Sequence, residues 1–211
     1  MNNRKNSVFD GLLGDNTVLS GLMVISPVIV CGDTIANALA VIYAFSAITF
    51  LSVMINSFIP KKLPYAVKII IYAIISSLVY IPVKSAASHF FPEVVERLGI
   101  YFMLLAVNSL IIVQSEAKFF KMKRGKMMLS LIFYILGFDA VMLIIALMRE
   151  LLAYGTIYGR IVDADMLIGG LGMPFGGFIL LGVFCGIYRS IRSAARHENN
   201  SGGGDGDVSD S

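Results

Sequence analysis

The chain has 211 residues, of which 57% are hydrophobic and 15% are charged, and its mean hydropathy is +0.79. Soluble domains run at about one quarter charged residues because they have a large surface to keep hydrated. The composition therefore excludes a soluble globular protein. The net charge of +3 does not indicate a nucleic-acid-binding protein, since the basic residues lie beside apolar runs in alternate connections. We expect an all-α, polytopic membrane protein.

Residues 1–16 have mixed character and predict a short cytoplasmic or interfacial segment. A membrane domain follows over residues 17–192. Residues 193–211 predict a disordered cytoplasmic tail, because from His197 onward Gly, Ser, Asn and Asp predominate and cannot bury a core. Six transmembrane segments are predicted at the apolar runs 17–31, 35–59, 65–83, 98–114, 127–148 and 166–188.

The charge distribution predicts the orientation of the membrane domain. Of the 17 Lys and Arg residues, thirteen fall on the side of the N-terminus and four on the opposite side when the six runs alternate. Because connections rich in Lys and Arg stay in the cytoplasm, both chain termini are predicted to be cytoplasmic.

The first and fourth runs are shorter than the roughly 20 residues that a straight span requires, and they resemble each other. Ser26-Pro27-Val28-Ile29-Val30 aligns with Ser109-Leu110-Ile111-Ile112-Val113 at an offset of 83 residues. This pattern predicts a 3+3 inverted repeat, with repeats at about 17–91 and 98–192 and two broken half-helices. Two ordinary but short hydrophobic helices would explain the same pattern.

Several short motifs run along nearly the whole chain outside the tail. They are Gly11-Leu12-Leu13-Gly14-Asp15-Asn16, Ile25-Ser26-Pro27, Asn37-Ala38-Leu39, Val107-Asn108-Ser109, Glu116-Ala117, Met148-Arg149-Glu150-Leu151-Leu152, Gly155-Thr156 and Pro174-Phe175-Gly176-Gly177-Phe178-Ile179. In order and spacing they resemble the RnfE/NqrD branch of the membrane subunits of bacterial Rnf and Nqr complexes.

The resemblance implies six helices with inverted halves in the bacterial cytoplasmic membrane, also called the cell inner membrane. It further implies a sister membrane subunit of opposite orientation and a larger complex that couples electron transport to Na⁺ or H⁺ movement. This chain would be a non-catalytic subunit of that complex. In the family, each sister brings two cysteines, one per half-helix, to a shared two-iron two-sulfur cluster.

The chain departs from the family at both cluster positions, which are Ser26 and Ser109. A thiolate binds iron because it is soft and ionises readily, whereas a serine hydroxyl does not ionise near neutral pH. Cys31 lies five residues beyond Ser26, and Cys185 lies in another span, so neither substitutes convincingly. We therefore predict no cofactor and no metal ligands in this chain.

Three acidic residues are candidates for an ion pathway. Asp139 is the carboxylate well inside a full span, and it is either a Na⁺ or H⁺ relay or a protonated acid bound to a neighbouring helix. Asp33 and Glu116 follow the two half-helices on opposite membrane faces. They either steer cations to each mouth or, more simply, mark the ends of spans.

Asn108 completes the candidate pathway. Its amide, with the hydroxyls of Ser26 and Ser109, is expected to hydrogen-bond across the half-helices where the family places its cluster. Arg149 and Glu150 are expected to form an interfacial ion pair that fixes a loop.

Three functions remain open. The first is a membrane subunit of an Rnf/Nqr-like ion-translocating complex without its own iron–sulfur ligands. The second is a transporter of small solutes or ions that reuses the inverted repeat and a cavity at the midplane. The third is a conventional electron-carrying subunit whose ligands lie elsewhere.

Overall fold

The computed structural model describes residues 25–60, 62–108, 111, 124–162 and 168–201. This part of the chain is almost entirely helical. Its helices are α1 (Ile25–Cys31), α2 (Ile35–Asn56), α3 (Tyr65–Phe90), α4 (Pro92–Leu98), α5 (Ile100–Met103), α6 (Arg124–Tyr154) and α7 (Pro174–Ser201). Two 3₁₀ turns, Leu104–Val107 and Gly169–Gly172, and an antiparallel hairpin of β1 (Thr156–Ile157) and β2 (Arg160–Ile161) connect them.

Four helices in the described residues are long and apolar enough to cross a membrane. They are α2, α3, α6 and the Pro174–Ile191 part of α7. The predicted class, a helical membrane protein with several spans, is thereby confirmed. The six-segment count and the inverted repeat stay predictions, because residues 17–24, 109–110 and 112–123 lie outside the described part.

Three helices are longer than the apolar runs predicted, and one of them, α6, extends the run 127–148 at both ends to Arg124–Tyr154. α3 continues through Pro82 to Phe90, and α4 follows at once, so the connection that was expected to be a polar loop is helical. A proline removes a single backbone donor, which a helix in a membrane tolerates when neighbouring groups adjust. α7 runs nine residues beyond residue 192, through a stretch whose Ala and Arg residues favour a helix. Residues 202–211, the rest of the predicted tail, and residues 1–16 lie outside the described part.

Helix α2 lies at the centre of the described bundle and packs against both α3 and α6. Phe45 of α2 stacks on Phe138 of α6, with 3.8 Å between the ring centroids, and both rings are fully buried. The start of α2 is capped by Thr34, whose hydroxyl accepts a hydrogen bond from the Asn37 N–H at 3.3 Å. This cap explains why the helix begins at Ile35, where the sequence analysis placed it.

Glycine permits a close approach at the start of α7. A Cβ atom added to Gly176 would lie 2.5 Å from both the Gly170 carbonyl oxygen and the Leu171 Cα. A Cβ on Gly177 would lie 3.2 Å from a guanidinium nitrogen of Arg149. The 3₁₀ turn can therefore sit directly on α7 only because these positions lack a side chain.

We expect Gly176→Ala to lower the stability of the protein by about 1 to 3 kcal/mol, because the new methyl group has to displace backbone atoms. Thermal unfolding in detergent micelles measures this change. The matched control is Gly182→Ala in the same helix, where a Cβ has no neighbour within 4 Å and alanine favours the helix. A Gly176→Ala protein as stable as the Gly182→Ala protein would contradict this account of the packing.

Candidate functional site

The side chain of Arg149 is 1% exposed and donates to four backbone carbonyls. Its Nη1 donates to the Ile29 carbonyl at 2.6 Å and its Nε to the Leu171 carbonyl at 3.0 Å. Its Nη2 donates to the carbonyls of Gly172 at 3.0 Å and Met173 at 3.3 Å. The first of these carbonyls lies in the last turn of α1, where a helix leaves carbonyls without a donor, and the other three lie just before α7. One guanidinium therefore joins α1, α6 and α7.

The carboxylate of Glu150 is 2% exposed and binds a different set of segments. One oxygen accepts from the Ile35 N–H at 2.6 Å, at the start of α2. The other accepts from the Thr156 hydroxyl at 3.2 Å and the Gly159 N–H at 3.0 Å, in the β1–β2 hairpin. A negative charge at a helix N-terminus is stabilised by the unpaired N–H groups there.

We call the side chains of Arg149 and Glu150, with the backbone groups they bind, the Arg149–Glu150 anchor. The prediction that Arg149 and Glu150 pair with each other is wrong, because each side chain instead binds backbone groups of other segments. The expectation that they fix a connection is confirmed by the hairpin contacts. The signals in the sequence were a charged dipeptide near the end of an apolar run and its place in one of the motifs that resemble the family.

Asp33 lies in the turn between α1 and α2. One carboxylate oxygen accepts from the Thr34 N–H at 2.9 Å and from the Asn37 side-chain amide at 2.6 Å. These bonds make Asp33 part of the cap of α2, as expected for a residue that ends a span, and a role in steering cations stays a prediction. Glu116, its expected counterpart, lies outside the described residues.

Asp139 is the central residue of α6 and faces α2. The Ser46 hydroxyl donates to its carboxylate, with oxygen–oxygen distances of 3.0 and 3.2 Å. Ser46 lies near the middle of α2, directly after the Phe45 ring that stacks on Phe138. The carboxyl group is therefore held at the point where the two long helices cross. This contact fits an acid bound to a neighbouring helix and equally places the acid where an ion relay requires it.

Asn108 follows the first 3₁₀ turn and is 5% exposed. Its amide nitrogen donates to the Thr49 hydroxyl at 3.2 Å and to the Leu105 carbonyl at 3.1 Å. Its oxygen accepts from the Ile111 N–H at 3.0 Å. The described bonds thus tie this segment to the middle of α2, and none of them runs to Ser26.

The described residues do not fit an iron–sulfur cluster. Ser26 is the second residue of α1 and is exposed, so a ligand at this position would need a hydroxyl in place of a thiolate. Cys31 is fully buried and Cys185 is 7% exposed, and both are free thiols. Within the described part, no group of three or more His, Cys, Asp or Glu residues is arranged to hold a metal. Ser109 lies outside it.

A cavity of about 630 Å³ opens where α3, α4 and α5 meet. Lys84, Ser88 and Glu96 supply polar groups, and apolar side chains of α4 and α5 supply the rest. In the sequence, the polar residues of this cavity fall in the predicted connection and its α5 residues in the predicted fourth segment, so no cavity was expected between them.

Comparison with known proteins assigns the class of the chain. A family model described as "Rnf-Nqr subunit, membrane protein" matches residues 5–185. The chain therefore belongs to the Rnf-Nqr family of membrane subunits, and the resemblance in its motifs is confirmed.

Named relatives include subunits of two kinds of complex. The chain is 28% identical over 169 residues to the E subunit of the ion-translocating oxidoreductase complex of Pseudoalteromonas atlantica, covering 80% of this chain and 72% of that protein. It is 25% identical over 195 residues to the D subunit of the Na(+)-translocating NADH-quinone reductase of the same organism, covering 89% and 93%. The E subunit of the oxidoreductase complex of Salmonella paratyphi B is 27% identical over 172 residues, covering 81% and 73%.

We expect Arg149→Lys to destabilise the protein by about 2 to 4 kcal/mol, because an ammonium group cannot reach carbonyls in separate segments as the planar guanidinium does. Thermal unfolding in detergent is the measurement. Arg160→Lys, at an exposed position in β2, is the matched control and is expected to change stability by less than about 0.5 kcal/mol. Equal effects of the two substitutions would contradict the role of the Arg149–Glu150 anchor.

Proposed function

We propose that this chain is a membrane subunit of a redox-driven ion-translocating oxidoreductase complex in the bacterial cytoplasmic membrane. The observation that carries the proposal is the family match over residues 5–185. It is supported by relatives named as subunits of ion-translocating complexes and by four candidate spans. The partners would be other subunits of the complex, including a sister membrane subunit of opposite orientation.

We further propose a 3+3 inverted repeat with both termini in the cytoplasm. Phe45 and Phe138 meet in the middle of α2 and α6, and Ser46 meets Asp139 one residue later, each pair being separated by 93 residues. This offset exceeds the 83 residues between Ser26 and Ser109 by ten, so the second repeat would have ten more residues between its half-helix and its long helix. Residues that occupy equivalent places in two inverted halves meet in this way when they lie near a two-fold axis. The excess of Lys and Arg on one side supports the orientation.

The electron-transport role of this subunit is proposed to be indirect. Serine stands at the cluster positions Ser26 and Ser109, and the two cysteines of the chain lie elsewhere. The chain would then contribute framework and ion movement to the complex, while other subunits carry the electrons.

Asp139 is the proposed ion relay. An ionised carboxylate costs several kcal/mol in hydrocarbon unless a cation, a proton or water accompanies it. Ser46 supplies one hydrogen-bond donor, which by itself does not replace the solvation of a carboxylate. A carboxyl group in this position is therefore suited to bind and release a cation or a proton during turnover.

The transporter of small solutes is less well supported. That function requires a cavity between the half-helices at the midplane, whereas the 630 Å³ cavity lies where α3, α4 and α5 meet. This cavity, which is lined by described residues, therefore gives no specific support to a transporter of small solutes.

We expect Asp139→Asn to reduce ion translocation by the reconstituted complex at least tenfold, because the amide keeps the shape of the side chain but cannot bind a proton or neutralise a cation. Electron transfer and ion uptake are measured together in proteoliposomes. The control is Ser46→Ala, which removes the hydrogen bond and leaves the carboxyl group. It is expected to retain at least about a third of the translocation rate, since one hydrogen bond contributes only about 1 kcal/mol. Full translocation by Asp139→Asn would exclude Asp139 as the relay.

We expect a tag on this chain to co-purify further membrane and redox subunits. Isolation of the chain alone would contradict the proposed membership of a complex.

Ser26→Ala is expected to leave the iron-to-protein ratio of that complex unchanged, because no thiolate is removed. Elemental analysis of the purified complex measures the ratio, with Ser77→Ala in the exposed part of α3 as the control. A loss of iron specific to Ser26→Ala would contradict the proposed absence of cluster ligands.

A further inference from the structure

One face of α2 is polar along its buried length. Ser46, Thr49, Ser52 and Asn56 follow each other at spacings of three, three and four residues, which places them on one side of the helix. The last three are 0%, 0% and 1% exposed. We call these four residues the α2–α6 polar track.

Part of the track has hydrogen-bond partners, and the other part has none among the described residues. Ser46 and Thr49 have hydrogen-bond partners in Asp139 and Asn108. In contrast, the hydroxyl of Ser52 and both polar atoms of the Asn56 amide have no partner among the described residues. A buried polar group without a partner costs about 1 to 3 kcal/mol. Hydrocarbon cannot relieve this cost. Three such atoms on one helix face indicate that a small polar ligand satisfies them.

Two contacts define how α2 and α6 face each other. The Ile35 N–H binds Glu150 at one end, and Ser46 binds Asp139 in the middle. Eleven residues separate Ile35 from Ser46, and eleven separate Glu150 from Asp139 in the opposite direction. The helices are therefore antiparallel and keep one register over this length.

The same register continues toward the other end of the pair. Asn56 lies ten residues after Ser46, about 15 Å further along α2 toward the first turns of α6. The guanidinium of Arg124 lies 4.9 Å from the centre of the Phe58 ring, which confirms that the beginning of α6 lies beside the end of α2. The unsatisfied atoms therefore lie between this end and the midpoint of the helix pair.

We propose that a chain of water molecules enters between α2 and α6 at Asn56 and runs past Ser52 and Thr49 to the Asp139 carboxylate. The ten residues from Asn56 to Ser46 span about 15 Å, a length that a few waters bridged by hydroxyl groups can cover at hydrogen-bond spacing. Water is favoured over a bound cation because Asn56 offers an unpaired donor and an unpaired acceptor at once, and water satisfies both.

The functional consequence rests on the proposed role of Asp139. A hydrated α2–α6 polar track connects Asp139 to one membrane face, the cytoplasmic face in the proposed orientation. A proton or a hydrated cation then reaches the carboxyl group from that side without crossing hydrocarbon.

Silver ions test the track because they move through narrow water-filled paths and bind thiolates, which form only where water reaches the sulfur. The full-length chain in its native membranes, with Cys31→Ala and Cys185→Ala, carries a single new cysteine as Ser52→Cys or Asn56→Cys. The control is Val53→Cys, at an adjacent position that is 0% exposed and apolar. Thiols left unmodified by silver are then alkylated after denaturation and counted.

We expect silver to modify Ser52→Cys and Asn56→Cys at least tenfold faster than Val53→Cys. Equal, slow modification at all three positions would overturn the proposal. The silver experiment does not depend on translocation. Slow modification at all positions would therefore contradict the water chain alone, whereas full translocation by Asp139→Asn would contradict the proposed relay.

Thermal stability gives a second readout. If the Asn56 amide were buried without water, Asn56→Leu would remove an unsatisfied group and raise the unfolding temperature. If water binds the amide, the substitution leaves those waters short of partners, and the unfolding temperature stays the same or falls. A clear increase would contradict the proposal.

Discussion

The backbone N–H and C=O groups at the ends of interrupted helices need hydrogen-bond partners, and the rest of this bundle depends on how they are supplied. Hydrocarbon offers no hydrogen bonds, so each free carbonyl or N–H inside the membrane requires a partner from the protein. Arg149 satisfies carbonyls at the end of α1 and before α7, and Glu150 satisfies the first N–H of α2 and the hairpin. The short helix α1 can end within the bundle because these two neighbouring side chains take over the bonds that a longer helix would make.

The two ends of the α2–α6 pair are consequently different. At the Arg149–Glu150 anchor, charged side chains bind backbone groups of the neighbouring segments. Toward Asn56, buried polar atoms outnumber their partners among the described residues. The first end is suited to hold the segments in place, and the second is suited to admit solvent. Asp139 lies between them, at the crossing of the helices.

Much of the fold was predictable, because long apolar runs are local signals; the start of α2 and the membrane class follow from them. The partners of Arg149 were not predictable, because backbone carbonyls carry no residue identity. The continuation of α3 through Pro82 depends on its surroundings in the bundle. The contact of Ser46 with Asp139 depends on a register between helices far apart in the chain, which neither segment encodes alone.

The contact between Ser46 and Asp139 has a consequence for the origin of the chain. Under the proposed two-fold relation, these residues occupy matching places, yet one carries a hydroxyl and the other a carboxyl group. An assembly of two identical halves would bring together either two acids, which repel when ionised, or two hydroxyls, which hold no charge. Joining the halves in one polypeptide lets each be altered separately, so a single acid can be kept beside a neutral donor.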